Sequence, residues 1–198
     1  MSIDAYIVAS GGANYGSLAE ACRRIGVEPA IGDDPARIAC ATHVILPGVG
    51  AAGHAMRALR ARGLDRALHA ITQPLLGICL GMQLLFERSD EDGADGLGLL
   101  EGGVRKLRAA PSWPHIGWNT LAPGIAPHAL LEGIGTADWF YFVHGYAAPP
   151  GKATLAQAQH GDPFAAVVAR ANVHGVQFHP EKSAAAGRRL LANFFALA

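Results

Sequence analysis

The chain has little charge and no excess of either sign. Of its 198 residues, 16 are Lys or Arg and 16 are Asp or Glu. The charged share is therefore 16 %, against about 25 % in an average globular domain. The balance of the two signs excludes the basic field that would favour nucleic acid or an anionic membrane surface. The low share of charge also predicts that a partner covers part of the surface.

Cysteine is scarce as well, and long apolar runs are missing. Three cysteines without a C-x-x-C spacing exclude a disulfide framework and indicate a reducing compartment, so we expect a cytoplasmic protein. The longest mostly apolar run, residues 74–86, is too short to span a bilayer, and the N-terminus lacks the basic flank of a signal peptide. The 9 histidines show no metal-ligand spacing, so we expect neither a metal nor a cofactor.

Apolar periodicity divides the chain into two halves, which together suit one domain over residues 1–198. The first half alternates strands and helices, and this order predicts a mostly parallel sheet with helices on both faces. Its strands are predicted at 5–9, 42–46 and 75–79, and its helices at 17–25, 51–62, 64–72 and 81–88. Later patterns predict antiparallel additions to the sheet, a loop at 110–115 and a closing helix at 183–197. The added strands are predicted at 103–107, 116–120, 139–143, 154–159, 164–169 and 175–178.

A glycine-rich loop follows the predicted strand at 42–46. Residues 48–53, GVGAAG, match the G-x-G-x-x-G fingerprint of dinucleotide-binding enzymes. That fingerprint normally leads through a helix and a second strand to an acidic residue about 20 positions on. Here a helical pattern continues to residue 72, and Asp65 lies at a helix start. A nicotinamide enzyme is therefore an alternative that rests on this loop alone.

Cys79 lies between Gly77 and Gly81, where a predicted strand turns into a predicted helix. This is the layout of a nucleophile elbow, with cysteine in place of serine. The glycines allow the sharp turn, and the helix N-terminus favours a thiolate. The N–H group of Leu80 would point to where an oxyanion forms. The alternative is a buried cysteine that only fills the core.

His179, Pro180 and Glu181 form a candidate base and its orienter. Proline keeps the preceding histidine out of the helical region, and residues two apart in an extended chain point the same way. Glu181 can therefore hydrogen-bond one ring nitrogen of His179, which leaves the other nitrogen for a nucleophile. The alternative is that both side chains only cap the ends of neighbouring elements. His144 is predicted to be a strand residue with a satisfied hydrogen bond.

Four segments carry a family resemblance. They are GICLGMQLLFERS, PHIGWN, YFVHGY and GVQFHPEKS, in this order along the chain. With them the sequence resembles class I glutamine amidotransferases over nearly its whole length. Within that class it is similar to the glutaminase subunits of imidazole glycerol phosphate synthase. The resemblance implies a flavodoxin-like α/β fold, with a mostly parallel sheet and antiparallel additions.

The resemblance also implies a reaction and a partner. Glutamine is hydrolysed to glutamate and ammonia, and the ammonia passes to a cyclase subunit, a (β/α)8 barrel, in a heterodimer. The barrel makes imidazole glycerol phosphate and an aminoimidazole-carboxamide ribonucleotide in histidine biosynthesis. Two alternatives stay open, namely an amidotransferase serving another synthase, such as anthranilate synthase, and a non-enzymatic interaction module.

The residue roles follow from the same resemblance. The implied catalytic triad is Cys79, His179 and Glu181. The implied oxyanion donors are Val49, Gly50 and Leu80, so the glycine loop would hold an oxyanion instead of a phosphate. The implied substrate-binding residues are Gly48, Gly50, Gln83, Glu91, His144 and Gly145. The residues expected to face the cyclase are Asn14, Trp118, Asn119, Tyr141 and Lys182.

Overall fold

The structure is a computed structural model that describes residues 3–109, 112–123 and 127–198. Its strands are β1 (Ala5–Val8), β2 (Pro29–Gly32), β3 (His43–Gly48), β4 (Leu75–Cys79), β5 (Phe86–Ser89), β6 (Ala94–Asp95), β7 (Leu100–Lys106), β8 (His115–Thr120), β9 (Ala122–Pro123), β10 (Trp139–His144), β11 (Tyr146–Ala147), β12 (Thr154–His160), β13 (Asp162–Arg170) and β14 (Val173–Val176). Its helices are α1 (Tyr15–Arg23), α2 (Pro35–Cys40), α3 (Ala52–Ala61), α4 (Leu64–His69), α5 (Leu80–Leu84) and α6 (Ala184–Phe195). Short 3-10 turns lie at Ala129–Leu131 and Pro180–Lys182.

The main sheet has 8 strands in the order β2-β1-β3-β4-β14-β13-β12-β9. The five strands from β2 to β14 run parallel, and β13, β12 and β9 join them antiparallel. Two smaller sheets, β10-β8 and β11-β7-β5-β6, lie beside it. The predicted α/β class, with antiparallel strands added in the second half, is therefore confirmed.

Helices cover both faces of the four inner parallel strands, β1, β3, β4 and β14, as their uniform burial requires. On β1, Ile7 packs in one core cluster with residues of α1 and α6, while Val8 packs in a second cluster with residues of α3 and α4. Alternate side chains of a strand point to opposite faces, so the inner strands contribute side chains to both clusters. This packing fixes the carboxyl ends of β3, β4 and β14 side by side, where ligands bind in open α/β sheets.

The predicted helix at 81–88 is wrong beyond its first turn. Helix α5 ends at Leu84, and Phe86–Ser89 forms strand β5, which pairs parallel with β7. The carbonyl of Leu84 accepts a hydrogen bond from the Leu97 N–H at 2.7 Å, and that of Leu85 accepts from the Leu100 N–H at 2.9 Å. Since these carbonyls accept hydrogen bonds from later segments of the chain, they are not free for the helical hydrogen bonds that would extend α5.

Strand β2 and helix α2 are not predicted by the sequence pattern. The strand exposes two of its four residues at the edge of the sheet, so it has no alternating apolar pattern. The other predicted strands and helices are present with ends shifted by a few residues, for example at α1, where the Asn14 side chain caps the helix by accepting from the Ser17 N–H at 3.1 Å. The predicted loop at 110–115 includes residues 110 and 111, which lie outside the described residues.

Candidate active site

Cys79 is the last residue of β4, and its backbone conformation is one that residues other than glycine rarely adopt. Its φ is 54° and its ψ is −111°, and α5 begins at the next residue. A Cβ on Gly77 would lie 2.7 Å from the Met82 backbone, and one on Gly81 would overlap the carbonyl oxygen of Leu46. The glycines on either side of Cys79 are thus required by close backbone contacts, as the elbow motif predicts. The strained turn aims the Cys79 side chain out of the sheet.

His179 and Glu181 form a buried pair just beyond β14. The Nδ1 atom of His179 lies 2.8 Å from Oε1 of Glu181, and the two side chains are only 9 % and 8 % exposed. The backbone here is a 3-10 turn at Pro180–Lys182, so the pairing predicted from an extended chain is made by a turn. Ser183 fixes this turn, because its hydroxyl donates to the His179 carbonyl at 2.6 Å.

The surroundings of His179 favour its protonated form. Burial lowers the pKa of His179, but its interactions with Cys79 and Glu181 outweigh burial and raise the pKa to about 10. The ring is therefore an imidazolium at neutral pH, with Glu181 on Nδ1 and Cys79 as its other polar partner. A positive charge beside Cys79 stabilises a thiolate. The three predicted triad residues are thus brought together by the fold.

Cys79 has two further polar neighbours, neither of which is predicted by the sequence. Its Sγ lies 3.6 Å from the carbonyl oxygen of Val143, and Nε2 of Gln177 lies 3.8 Å from the same sulfur. Val143 belongs to β10, and Gln177 directly follows β14. In sequence, Gln177 is one polar residue in a strand-like GVQF segment, so only the fold reveals its contact with the nucleophile.

A cavity of about 210 Å³ opens beside Cys79 and His179. Its lining includes the three predicted oxyanion residues, Val49, Gly50 and Leu80. It also includes five of the six predicted substrate residues, namely Gly50, Gln83, Glu91, His144 and Gly145. The sixth, Gly48, pairs with Cys79 at the ends of β3 and β4 and lines a smaller adjacent cavity. The larger cavity is small for a drug-like ligand and suits a metabolite.

The glycine loop leaves β3 beside the nucleophile. Gly50 has φ +89°, and a Cβ at this position would meet no atom within 4 Å. The positive φ, which disfavours any side chain there, is therefore the feature that suits glycine. The next helix, α3, begins without a cap from its own N-cap residue. Instead, Oε2 of Glu91 accepts from the Ala52 N–H at 3.0 Å. Burial is the main reason that the pKa of Glu91 is raised.

His144 also lines the cavity. Its Nδ1 lies 2.9 Å from the Tyr146 carbonyl, and its Nε2 lies 3.0 Å from Nδ1 of His115. Because a carbonyl only accepts, Nδ1 of His144 carries the proton and Nε2 accepts from His115. Burial, together with neighbouring histidines, lowers the pKa of His144 to about 3. The neutral ring holds the Tyr146 backbone through Nδ1, and the predicted satisfied strand histidine is observed.

The residues expected to face a partner lie in two groups near the cavity. The Trp118 and Tyr141 rings meet edge to face with centroids 5.8 Å apart, and Nζ of Lys182 lies 5.8 Å from the Tyr141 centroid. Trp118 is 50 % exposed. Asn119 adjoins this group, although its side-chain amide donates to the Gln159 carbonyl at 2.9 Å. Asn14 lines the smaller cavity, of about 50 Å³, together with Lys182.

The sequence profile of the family "Glutamine amidotransferase class-I" matches residues 10–198. The chain belongs to this family, and the predicted enzyme class, a glutamine amidotransferase, is confirmed.

In the part of the chain that the structure describes, no group of three or more His, Cys, Asp or Glu residues is placed to hold a metal ion. Within the same described ranges, no helix is long and apolar enough to cross a bilayer.

Relatives of known name narrow the class further. The chain is 49 % identical over 193 residues to the imidazole glycerol phosphate synthase subunit HisH of Xanthomonas euvesicatoria pv. vesicatoria, covering 96 % of both chains. It is 47 % identical over 190 residues to the HisH subunit of Escherichia coli O157:H7, covering 95 % of this chain and 96 % of that one. The predicted similarity to this kind of subunit is thereby confirmed.

Solved structures show the same fold at low sequence identity. A crystal structure of a glutamine amidotransferase superposes with a TM-score of 0.75 at 22 % identity, covering 97 % of each chain. The PurLQS structure from Thermotoga maritima gives a TM-score of 0.73 at 18 % identity, covering 99 % of each chain. These matches support the α/β architecture.

Proposed function

We propose that this chain, as one domain over residues 1–198, is the cytoplasmic glutaminase subunit of an imidazole glycerol phosphate synthase. It hydrolyses glutamine to glutamate and ammonia for a cyclase partner in histidine biosynthesis. The observation that carries the proposal is the buried triad, in which Cys79 at a strained elbow faces His179, and His179 is paired with Glu181 at 2.8 Å. The HisH names of relatives that match 96 % of the chain support the specific synthase.

The first half of the reaction forms a thioester. The Cys79 thiolate attacks the side-chain carboxamide carbon of glutamine, and the electron pair of the C=O bond moves onto oxygen. The N–H of Leu80 and one from Val49 or Gly50 hold this oxyanion, and one such donor is typically worth a factor of about 10²–10³ in rate. The His179 imidazolium then gives its proton to the amide nitrogen. The C–N bond breaks, ammonia leaves, and a γ-glutamyl thioester remains on Cys79.

The second half of the reaction returns the enzyme to its starting state. The now neutral His179 takes a proton from water as that water attacks the thioester carbon. The C–S bond breaks, glutamate is released, and Cys79 leaves as a thiolate beside the restored imidazolium. Glu181 holds the His179 ring in place through Nδ1 in both halves. The raised pKa of His179, about 10, suits its role as the acid of the first half.

Substrate recognition is assigned to the walls of the cavity. The Glu91 carboxylate at one side of the 210 Å³ cavity binds the ammonium group of glutamine. Gln83, on the first turn of α5, borders the carboxamide together with the Gly48 and Gly50 backbone of the glycine loop. The backbone at His144 and Gly145 meets the carboxylate end, and the hydrogen bonds of the His144 ring support it there.

The partner surface is assigned to the exposed aromatic group beside the cavity. Trp118, Tyr141, Lys182 and the adjoining Asn119 face a (β/α)8 cyclase in a heterodimer. Two further exposed apolar residues of the same small sheet, Ile116 at 60 % and Trp139 at 56 %, extend this surface. Aromatic residues are enriched in such interfaces. The smaller cavity, which reaches from His179 to Asn14, supports the assignment of that side of the triad to the partner for ammonia transfer.

The proposal is tested with the complex of this chain and the cyclase. Cys79→Ala is expected to reduce glutamine-dependent formation of imidazole glycerol phosphate by about a thousandfold or more, because the nucleophile is lost. Ammonia-dependent formation should stay at the wild-type rate, since the barrel does that chemistry. The control is Cys40→Ala, an exposed cysteine at the end of α2, which should retain both activities.

Two results would contradict the proposal. Unchanged glutamine use in Cys79→Ala would remove the assigned nucleophile. The second such result is a wild-type chain that fails to bind the cyclase and instead supplies ammonia to a different synthase. That result would favour the alternative of an amidotransferase for another pathway.

A further inference from the structure

We propose that the side-chain amide of Gln177 is a hydrogen-bond donor to the Cys79 thiolate and that Gln83 orients it. The proposal deepens the proposed function, because it takes Cys79 as the nucleophile. Gln177 is fully buried, at 0 % exposure, and lies two residues before His179. Its Nε2 atom lies 3.8 Å from Sγ of Cys79. The amide can donate to the sulfur only if its NH2 group, and not its oxygen, faces Cys79.

The hydrogen-bond network fixes that orientation. The Tyr146 carbonyl can only accept, and it takes a hydrogen bond from Nε2 of Gln83 at 2.7 Å. The same Nε2 atom donates its second hydrogen to Oε1 of Gln177 at 3.0 Å. The oxygen of Gln177 is therefore occupied on the side of Gln83. Its NH2 group is the end that faces Sγ.

The two uncharged neighbours of the sulfur favour opposite protonation states. The Val143 carbonyl, 3.6 Å from Sγ, can accept from a thiol but would repel a thiolate. The Gln177 amide donates toward the sulfur and therefore favours the thiolate. Hydrogen bonds to charged groups are stronger than those between neutral groups. Unlike His179, Gln177 keeps its donor throughout the reaction, so it also supports the thiolate as the leaving group of the second half.

The test removes the donor while the size of the side chain is kept. Gln177→Met has no N–H group, and Gln177→Glu keeps the oxygen that accepts from Gln83 but replaces the donor by a carboxylate oxygen. The readout is the rate at which iodoacetamide alkylates Cys79 as a function of pH, measured by mass spectrometry of the Cys79 peptide in the full chain. Exposed Cys40 in the same molecule serves as the reference for reagent reactivity.

In Gln177→Met the midpoint of the alkylation pH profile should move up by about one pH unit, which corresponds to the loss of one hydrogen bond to a charged group. Below the wild-type midpoint this lowers the rate about tenfold, and the rate at high pH stays unchanged. In Gln177→Glu the shift should be at least as large, because the new carboxylate also repels the thiolate. The matched control is Gln157→Glu on the exposed side of β12, which makes the same chemical change away from the site. Its profile should coincide with that of the wild type.

The proposal would be overturned by a wild-type midpoint in variants whose thermal unfolding shows that they are folded. It would also be overturned by a rate lowered equally at every pH, since that indicates a disturbed structure and not a lost donor. Gln177→Glu guards against a folding failure of Gln177→Met, because it preserves the bond to Gln83. Alkylation needs no glutamine and no partner, so this outcome is separate from that of Cys79→Ala.

Discussion

At the scale of single residues, the site depends on backbone positions that exclude a Cβ atom. Cys79 itself is held at φ 54°, a conformation that costs about 1–3 kcal/mol and persists only where surrounding structure enforces it. Here the backbones of β3 and α5 provide that enforcement, because Gly81 lies in direct contact with Leu46. The elbow is thus a product of tertiary packing that the local sequence signals through two glycines.

Replacing Gly81 by alanine should therefore destabilise the protein. The new Cβ would overlap the Leu46 carbonyl, and overpacking of this kind typically costs about 1–3 kcal/mol. The measurement is urea unfolding followed by circular dichroism. Gly151→Ala is the matched control, because a Cβ there meets nothing within 4 Å, and it should change stability by less than about 0.5 kcal/mol. Equal stability of the two variants would show that the elbow can relax.

At the scale of elements, Glu91 connects the start of α3 to the proposed substrate site. Its Oε2 accepts from the Ala52 N–H at 3.0 Å, near the end of the glycine loop, and Glu91 lines the cavity. One side chain therefore caps a helix and places a carboxylate at the proposed substrate site. This hydrogen bond would couple the binding of a substrate ammonium at Glu91 to the end of the glycine loop.

Two substitutions separate these roles. Glu91→Gln keeps an oxygen that can accept from Ala52 and removes the charge, so we expect wild-type stability with a KM for glutamine raised by about tenfold or more. Glu91→Ala removes the cap as well and should also lower the free energy of unfolding by about 0.5–2 kcal/mol. Glutaminase kinetics of the complex and urea unfolding measure the two effects. An unchanged KM in Glu91→Gln would exclude the ammonium contact.

Elements with strong local signals are predicted well from the sequence, and those made by distant pairing are not. Strand β4 is predicted with its observed bounds, because an apolar run ends at glycine-flanked Cys79. The residues beyond Leu84 have a helical pattern in sequence, yet they form no helix, because N–H groups from later in the chain bond to the carbonyls of Leu84 and Leu85. The site follows the same division: His179 and Glu181 are neighbours in sequence, whereas the contact between Gln177 and Cys79 spans 98 residues.

At the scale of the whole molecule, four of the buried histidines have pKa values that are shifted in opposite directions. Burial is the main cause that lowers the pKa of His115 to about 4, of His144 to about 3 and of His174 to about 4. These three residues are 4 %, 6 % and 3 % exposed. The pKa of His179 is instead raised, to about 10. One charged histidine is thus retained at the nucleophile, while neutral histidines pack the neighbouring core.

This distribution predicts a loss of stability in mild acid. The unfolded chain binds protons at these histidines below about pH 6.5, whereas the folded chain binds them only near pH 4 or below. Their contribution is present above about pH 6.5, and each loses up to about 1.4 kcal/mol per pH unit below it. Urea unfolding between pH 7 and pH 4.5 measures this slope. His144→Gln should reduce the slope, and a slope equal to that of the wild type would contradict the assignment.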